Sequence, residues 1–218
     1  RERLVGTRTR LINQMRAVLL ERGLTFAKGR RKFEIGLDTL LDDADADLSQ
    51  RIRDLLIDMR QELVELDRRI AKLDREFAER AKSDEATRRL LTLGGIGNLT
   101  ATALVAAIDD AAAFSIARDL PAWLGLVPRQ HTTGGKPRLL GINRRGNTYL
   151  WQLFIHGVRA ALPTLSKADT PLGHWLRDLL TRAHYNVAVA ALAAKLARIA
   201  WATLRRGTTF EQSTPESV

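Results

Sequence analysis

The sequence predicts an all-α chain: a long helix and coiled-coil region followed by a compact helical domain. Three observations carry this. Apolar residues recur at steps of three and four over residues 1–22 and again over 48–80. Two Ala- and Leu-rich stretches, 90–108 and 185–206, have helical spacing and glycine punctuation. No run alternates with period two over several strands. The expected division is 1–84, a basic helix and coiled-coil spacer; 85–206, the compact domain; and 207–218, a disordered polar tail.

The first helix covers residues 1–22, with Leu4, Leu11, Met15, Val18 and Leu19 on one face and Gly23 as its stop. Ten basic and two acidic residues lie between Arg1 and Lys32, which suits either a solvated amphipathic helix or one lying along a nucleic-acid backbone. Asp38, Asp42, Asp43, Asp45 and Asp47 follow. Without a fixed scaffold such a cluster is a solvated loop or helix start, not a metal site. From Leu48 to Arg80 the residues Leu56, Met59, Leu63, Leu66, Ile70, Leu73 and Phe77 form a heptad seam. The seam either packs on the first helix or joins subunits; a homo-oligomer through the 48–80 heptads is the expectation. A polar break is expected from Leu162-Pro163 to Pro171, then a last helix from Tyr185 to Arg206, closed by Gly207.

Charge narrows the partners. Of 218 residues, 35 are Lys or Arg and 25 Asp or Glu, a net +10 with a pI near 10.7. Such an excess favours polyanions. Arg supplies 28 of the 35, suiting bidentate phosphate and guanine contacts, although a GC-rich genome also raises Arg. The lack of cysteine excludes disulfides, thiolate metal sites and a Cys nucleophile. The four His have no metal-ligand spacing. No apolar run approaches the ~20 residues of a membrane span, so no membrane partner is expected. No signal peptide opens the chain, and a cytoplasmic location is expected. The chain starts at Arg1 within a helical pattern, which reads as a fragment whose upstream sequence is absent.

Leu90–Ile108 carries the strongest local signal. Leu90, Leu91 and Leu93 end one helix, Gly94, Gly95 and Gly97 make a turn with Ile96 plugging inward, and an apolar helix follows. The Gly-apolar-Gly turn resembles a helix-hairpin-helix motif. Glycines admit a ligand close to the backbone, and amides at the start of the second helix, with its dipole, favour an anion such as a DNA phosphate. Such a contact positions a protein without specifying sequence. The plain alternative is an αα-hairpin whose glycines only permit close packing.

Residues 113–162 add a basic, glycine-rich loop. From Arg118 to Arg159 there are seven basic residues and one acid, Asp119. Arg129, Lys136, Arg138, Arg144 and Arg145 are candidate phosphate contacts, with Gly134 and Gly135 exposing backbone amides. The GGK sequence lacks the spacing of a nucleotide-binding loop. Trp123, Trp151, Trp175 and Trp201 could stack on bases but at helical spacing read as core. His131 beside the loop could shuttle a proton, and His156, in an apolar helix, reads as structural.

The order Phe114, Arg118-Asp119-Leu120, Ala122 to Gln130, Thr133-Gly134-Gly135-Lys136, Gly141-Ile142 and Arg144-Arg145-Gly146, joined to the glycine turn, resembles the carboxy-terminal domain of insertion-sequence transposases of the 110/1111 class, the IS116/IS110/IS902 type. The resemblance covers nearly the whole chain and is densest over 90–162. It implies a DNA recombinase that cleaves and rejoins strands in transposition. It also implies an amino-terminal RuvC-like domain with acidic ligands for magnesium, a structured guide RNA from the element, oligomers through the coiled coil, and a bacterial, nucleoid-associated setting. No metal ligand and no cofactor is expected within this chain. The family's nucleophilic serine falls in the loop after Pro-Arg; the matching residues here are Thr133 and, as the alternative, Thr132. A threonine hydroxyl can attack phosphorus, but its β-methyl crowds the approach. The other readings are a non-catalytic helix-hairpin-helix nucleic-acid-binding module, an inactive transposase remnant, or a helical oligomerisation protein.

Overall fold

A computed structural model describes residues 1–210 except 134 and 144, and all but the side chains of 136, 137 and 139. The 211–218 part of the expected disordered tail, and the site candidates Gly134, Arg144 and the Lys136 side chain, lie outside what is described. The order is α1 (Glu2–Leu20), α2 (Arg30–Asp42), α3 (Gln50–Ser83), α4 (Glu85–Leu91), α5 (Asn98–Ile108), a short 3-10 turn (Ala111–Ala113), α6 (Asp119–Trp123), β1 (Pro128–Thr133), β2 (Lys136–Ile142), α7 (Thr148–Leu165), α8 (Pro171–Arg182) and α9 (Tyr185–Arg206). Helix dominates, as expected, and the described sheet is one two-stranded ribbon. Two compact units form, Arg1–Glu76 and Phe77–Val218.

The first unit is a three-helix bundle. Arg1 pairs with Asp74 and Arg8 with Asp67, so α1 runs antiparallel to α3. Arg30 also reaches Asp67, and Arg60 pairs with Asp38 at 2.8 Å, so α2 is antiparallel to α3 as well. The return between α1 and α2 starts at Gly23 (φ 74°), where the Leu24 amide donates to the Leu19 carbonyl at 3.0 Å and the Gly23 amide to Leu20 at 2.9 Å. This double bond to the last turn is the stop that glycine permits. Arg16 then ties the returning chain by donating to the carbonyls of Phe26, Ala27 and Gly29, with its guanidinium 4.6 Å from the centre of the Phe33 ring.

The heptad seam is spent inside this bundle. Leu56, Leu63, Leu66 and Ile70 are buried with Leu4, Leu11, Ile12, Met15, Leu19, Phe33 and Leu37, and Met59 and Leu73 pack against them. Two helices lying parallel on a third cover the 3–4 stripe that a partner subunit would otherwise need. These seam residues form an intrachain core. The expected basic helix is likewise engaged internally at Arg1, Arg8 and Arg16.

In the second unit α9 is the central helix. Ala188, Val189, Leu192, Ala193, Leu196, Ala197, Ala200 and Thr203 are buried along it, and α4, α6, α7 and α8 pack around it. By length and apolar composition α9 could cross a membrane, which corrects the expectation that no run comes near a span. Its apolar face is the core of this unit. Gly207 (φ 66°) ends it, as expected.

α7 continues through Pro163, where a break was expected, to Leu165. Proline removes the amide that would bond the carbonyl four residues back, here Arg159. The Tyr185 hydroxyl donates to that carbonyl at 3.2 Å and restores the lost bond. The break falls instead at 166–170, and α8, not expected from the sequence, opens with Thr170 as N-cap (Gly173 amide to its hydroxyl, 3.1 Å) and Pro171 in the first turn.

Candidate nucleic-acid interface

The first candidate element is the glycine turn between α4 and α5. Asp84 caps α4, its carboxylate accepting from the Thr87 amide at 2.7 Å. These bonds, the Thr87 hydroxyl first, hold the Asp84 carboxyl below the usual carboxylate range. Ile96 is buried, as expected for the plug. The three glycines divide their tasks. A Cβ on Gly94 would meet Leu165 Cδ2 at 2.9 Å, and Gly95 (φ 99°) lies against Leu196, Ala161 and the Gly157 carbonyl. These two therefore seat the turn on α7 and α9, the packing role of the plain alternative. Gly97 is exposed, with open space where a side chain would stand. No side chain caps α5 at Gly97, so the start of this helix remains available to an anion from that side only.

The second element is the basic loop. It is not an irregular loop but an antiparallel β-hairpin, with His131 opposite Arg138, Thr132 opposite Pro137 and Thr133 opposite Lys136. Gly135, in the left-handed region (φ 74°), serves the two-residue connection. Every residue of β1 is exposed, so burial never imposes alternation and the period-two signal is missing. Near the root, Pro128 pairs with Ile142 and Gln130 with Leu139. Leu140 and Gly141 therefore both oppose Arg129, a bulge of the kind that re-aims a side chain.

The root of the hairpin is fixed. Gly125 (φ 72°) ends α6, with the Leu126 amide donating to Pro121 at 2.8 Å and the Gly125 amide to Ala122 at 3.0 Å. Gly146 lies directly on the backbone of Trp123–Gly125, leaving no room for a Cβ. Asn147 then caps α7, accepting from the Leu150 amide at 3.1 Å. Between root and arm is an open cleft of about 540 Å³ lined by Arg129, Gly141, Ile142, Asn143 and Arg145. Arg129, Arg138 and Arg145 are exposed, and none forms an ion pair among the described residues. No Asp or Glu occurs in the sequence between Asp119 and Asp169.

Strand alternation separates the two threonines. Thr132 shares a face with Gln130, whose amide donates to its hydroxyl at 3.1 Å. Thr133 shares the other face with His131 and Arg138. Of the two, only Thr133 shares a face with an imidazole and a guanidinium; both threonines are exposed.

Trp151, Trp175 and Trp201 are half-buried against the core, as read from spacing, while Trp123 is 38% exposed and stacks edge-on against Phe114. His156 is exposed, not structural as read from its apolar helix. Asp38 is bound to Arg60, and among the described residues no three His, Asp or Glu side chains form a group that could hold a metal ion. Sequence reading missed the cleft and Asn143; the signal was the Gly141–Gly146 spacing around a single asparagine.

The sequence profile of the Transposase IS116/IS110/IS902 family matches residues 87–170, which run from the glycine turn through the hairpin and α7. Residues 87–170 are thus similar to the domain that defines that family. The whole chain is similar to a probable family 20 transposase of Pseudomonas aeruginosa, at 42% identity over 211 residues, covering 96% of this chain and 62% of the relative. It is 40% identical over 210 residues to the transposase for insertion sequence element IS1111A of Coxiella burnetii, covering 96% of this chain and 58% of that protein. For the transposase of IS1328 from Yersinia enterocolitica the identity is 37% over 212 residues, covering 97% and 63%. The chain thus spans about three fifths of the length of these relatives. Both the glycine turn and the hairpin fall inside the matched segment.

Proposed function

We propose that this chain is the DNA-engaging part of an insertion-sequence transposase that cuts and rejoins DNA strands. The observation that carries the reading is where the charge sits. The first unit has 17 basic and 15 acidic residues and ties several of them to one another; the second has 18 basic and 10 acidic. The excess lies with the transposase-family domain and includes three exposed, unpaired arginines around the hairpin. Gly97 and the first amides of α5 offer a further phosphate contact, the helix-hairpin-helix use of that turn.

In this reading Thr133 is the nucleophile. Its hydroxyl gives up a proton, its oxygen bonds to phosphorus, and a sugar oxygen leaves carrying a proton. The magnesium chemistry belongs to a RuvC-like domain that these 218 residues do not contain, and the described residues support no step through a metal. The element's guide RNA, self-association, and a place at the bacterial nucleoid complete the proposal.

The test is salt-dependent binding of duplex DNA. The logarithm of affinity should fall linearly with the logarithm of salt concentration, by about 0.9 per phosphate contact. Joint replacement of Arg129, Arg138 and Arg145 by Ala should flatten that slope by roughly 2–3. Salt-independent binding, or an unchanged slope, would overturn the reading. For the nucleophile, a protein carrying the upstream domain should lose covalent DNA adducts with Thr133→Ala and keep them with Thr132→Ala; equal yields would remove Thr133.

A further inference from the structure

The geometry points to how the arm meets its ligand: we propose that the hairpin lies across the major groove of B-form duplex DNA, its root gripping one strand and its tip reaching the other. This rests on the DNA reading above and deepens it.

Length is the first argument. From Arg129 at the root to Thr133 at the tip are four strand steps, about 14 Å. The major groove of B-DNA is about 12 Å wide and admits a two-stranded ribbon. An arm held at one phosphate backbone by Arg129 and Arg145 therefore sets Thr133 at the opposite backbone. That is where a hydroxyl would need to be to attack phosphorus.

Chemistry along the arm fits the space between. Gln130 and Thr132 stand on one face and His131 and Arg138 on the other. Amide, hydroxyl and guanidinium are the groups that meet base edges in that groove. No carboxylate lies on the arm to repel a phosphate. The mechanical arrangement also suits a probe. The root is pinned by Gly146 against the end of α6 and by the Asn147 cap, while every β1 residue is open to solvent. The Leu140–Gly141 bulge turns the ribbon at the residue that grips the first strand. An A-form RNA duplex offers no such seat, since its major groove is deep and too narrow for side chains to read.

The experiment measures fluorescence anisotropy of a labelled duplex about 30 base pairs long, three turns of B-form helix, with the 218-residue chain. Methyl green, a major-groove ligand, should displace the protein, and distamycin, a minor-groove ligand, should not. An RNA duplex of the same sequence should bind at least about ten-fold more weakly. In a shortened arm, residues 131–138 are replaced by Asn-Gly, joining the paired Gln130 and Leu139 through a two-residue turn and leaving both root arginines. Its helical circular dichroism should be unchanged, because none of the arm's described side chains belongs to the core. Its DNA affinity should fall about ten-fold, with loss of the methyl green effect. Competition by distamycin, equal affinity for the RNA duplex, or full affinity in the shortened arm would overturn the groove assignment while leaving salt-dependent DNA binding intact. Absence of salt-dependent binding would overturn the DNA reading itself.

Discussion

Replacing Gly157 by alanine tests whether the glycine turn is seated on α7 as described. In a helix interior, Gly→Ala ordinarily gains about 0.8–1 kcal/mol from propensity. At Gly157 the new methyl would fall against the carbonyl oxygen of Gly95, far inside contact distance. That oxygen belongs to the backbone of a tight turn and cannot swing away as a side chain can. Overpacking of this kind costs roughly 1–3 kcal/mol. With the contact this close and to backbone, the cost falls in the upper part of that range, about 2–3 kcal/mol, which leaves a net destabilisation of about 1–2 kcal/mol, opposite in sign to the propensity expectation. Gly6→Ala is the control. Gly6 also lies inside a helix, but its added Cβ would find only Arg10 Nη1 at 3.7 Å, so a gain of about 0.5–1 kcal/mol is expected. All four tryptophans lie in the second unit, so tryptophan fluorescence during urea unfolding follows the unit that holds Gly157. Far-UV circular dichroism follows both units. The Gly157→Ala midpoint should drop by about 0.5–1 M urea. A midpoint equal to or above that of the parent would refute the close approach of turn and helix.

Leu63→Ala removes a fully buried side chain from the first unit and should cost about 2–5 kcal/mol by urea unfolding followed by circular dichroism, whereas Val64→Ala, 53% exposed, should stay within about 0.5 kcal/mol. If the seam served only to join subunits, Leu63→Ala would alter the oligomeric state in sedimentation and spare the unfolding midpoint. Asp84→Ala should cost about 1 kcal/mol at neutral pH through loss of the α4 cap. The folded carboxyl titrates below its ordinary value of 3.8. Its contribution is therefore complete above that value and lost as pH falls through the lower folded one, so the variant and parent should converge in acid unfolding.

What the sequence disclosed depended on whether a residue's task leaves a local mark. Gly23 and Gly207 do, because a helix stop in the left-handed region calls for glycine, and α9 was delimited to its ends. Ile96 does, as one apolar residue among three glycines. The hairpin does not. A strand shows itself through a buried face, and β1, Pro-Arg-Gln-His-Thr-Thr, has none. It is held by ladder bonds and by the glycine connection, which read equally as a loop. α3 shows a different limit. Its seam states that something covers Leu56, Leu63 and Ile70, but three-and-four spacing is the same whether the cover is α1 and α2 or a second subunit. At Pro163 the local signal was correct and was overridden from outside, by a hydroxyl 22 residues along the chain at Tyr185. Thr170-Pro171, a cap followed by first-turn proline, was a legible helix start for α8.

The two candidate phosphate contacts also constrain each other. The hairpin springs from the start of α7, whereas the glycine turn rests on Gly157, Ala161 and Leu165 farther along it. Nine residues separate Thr148 from Gly157, a rise of about 14 Å. Successive phosphates of one DNA strand advance about 3.4 Å along the duplex axis, so the same ligand touching both elements must extend over about four phosphate steps. A nucleotide or a free phosphate could satisfy either element alone. Only a polymer can gain from both, and it gains because a single rigid helix fixes the spacing between them. A duplex shorter than about four base steps should therefore lose the contribution of one element entirely, which separates this arrangement from two independent anion sites that would saturate with inorganic phosphate.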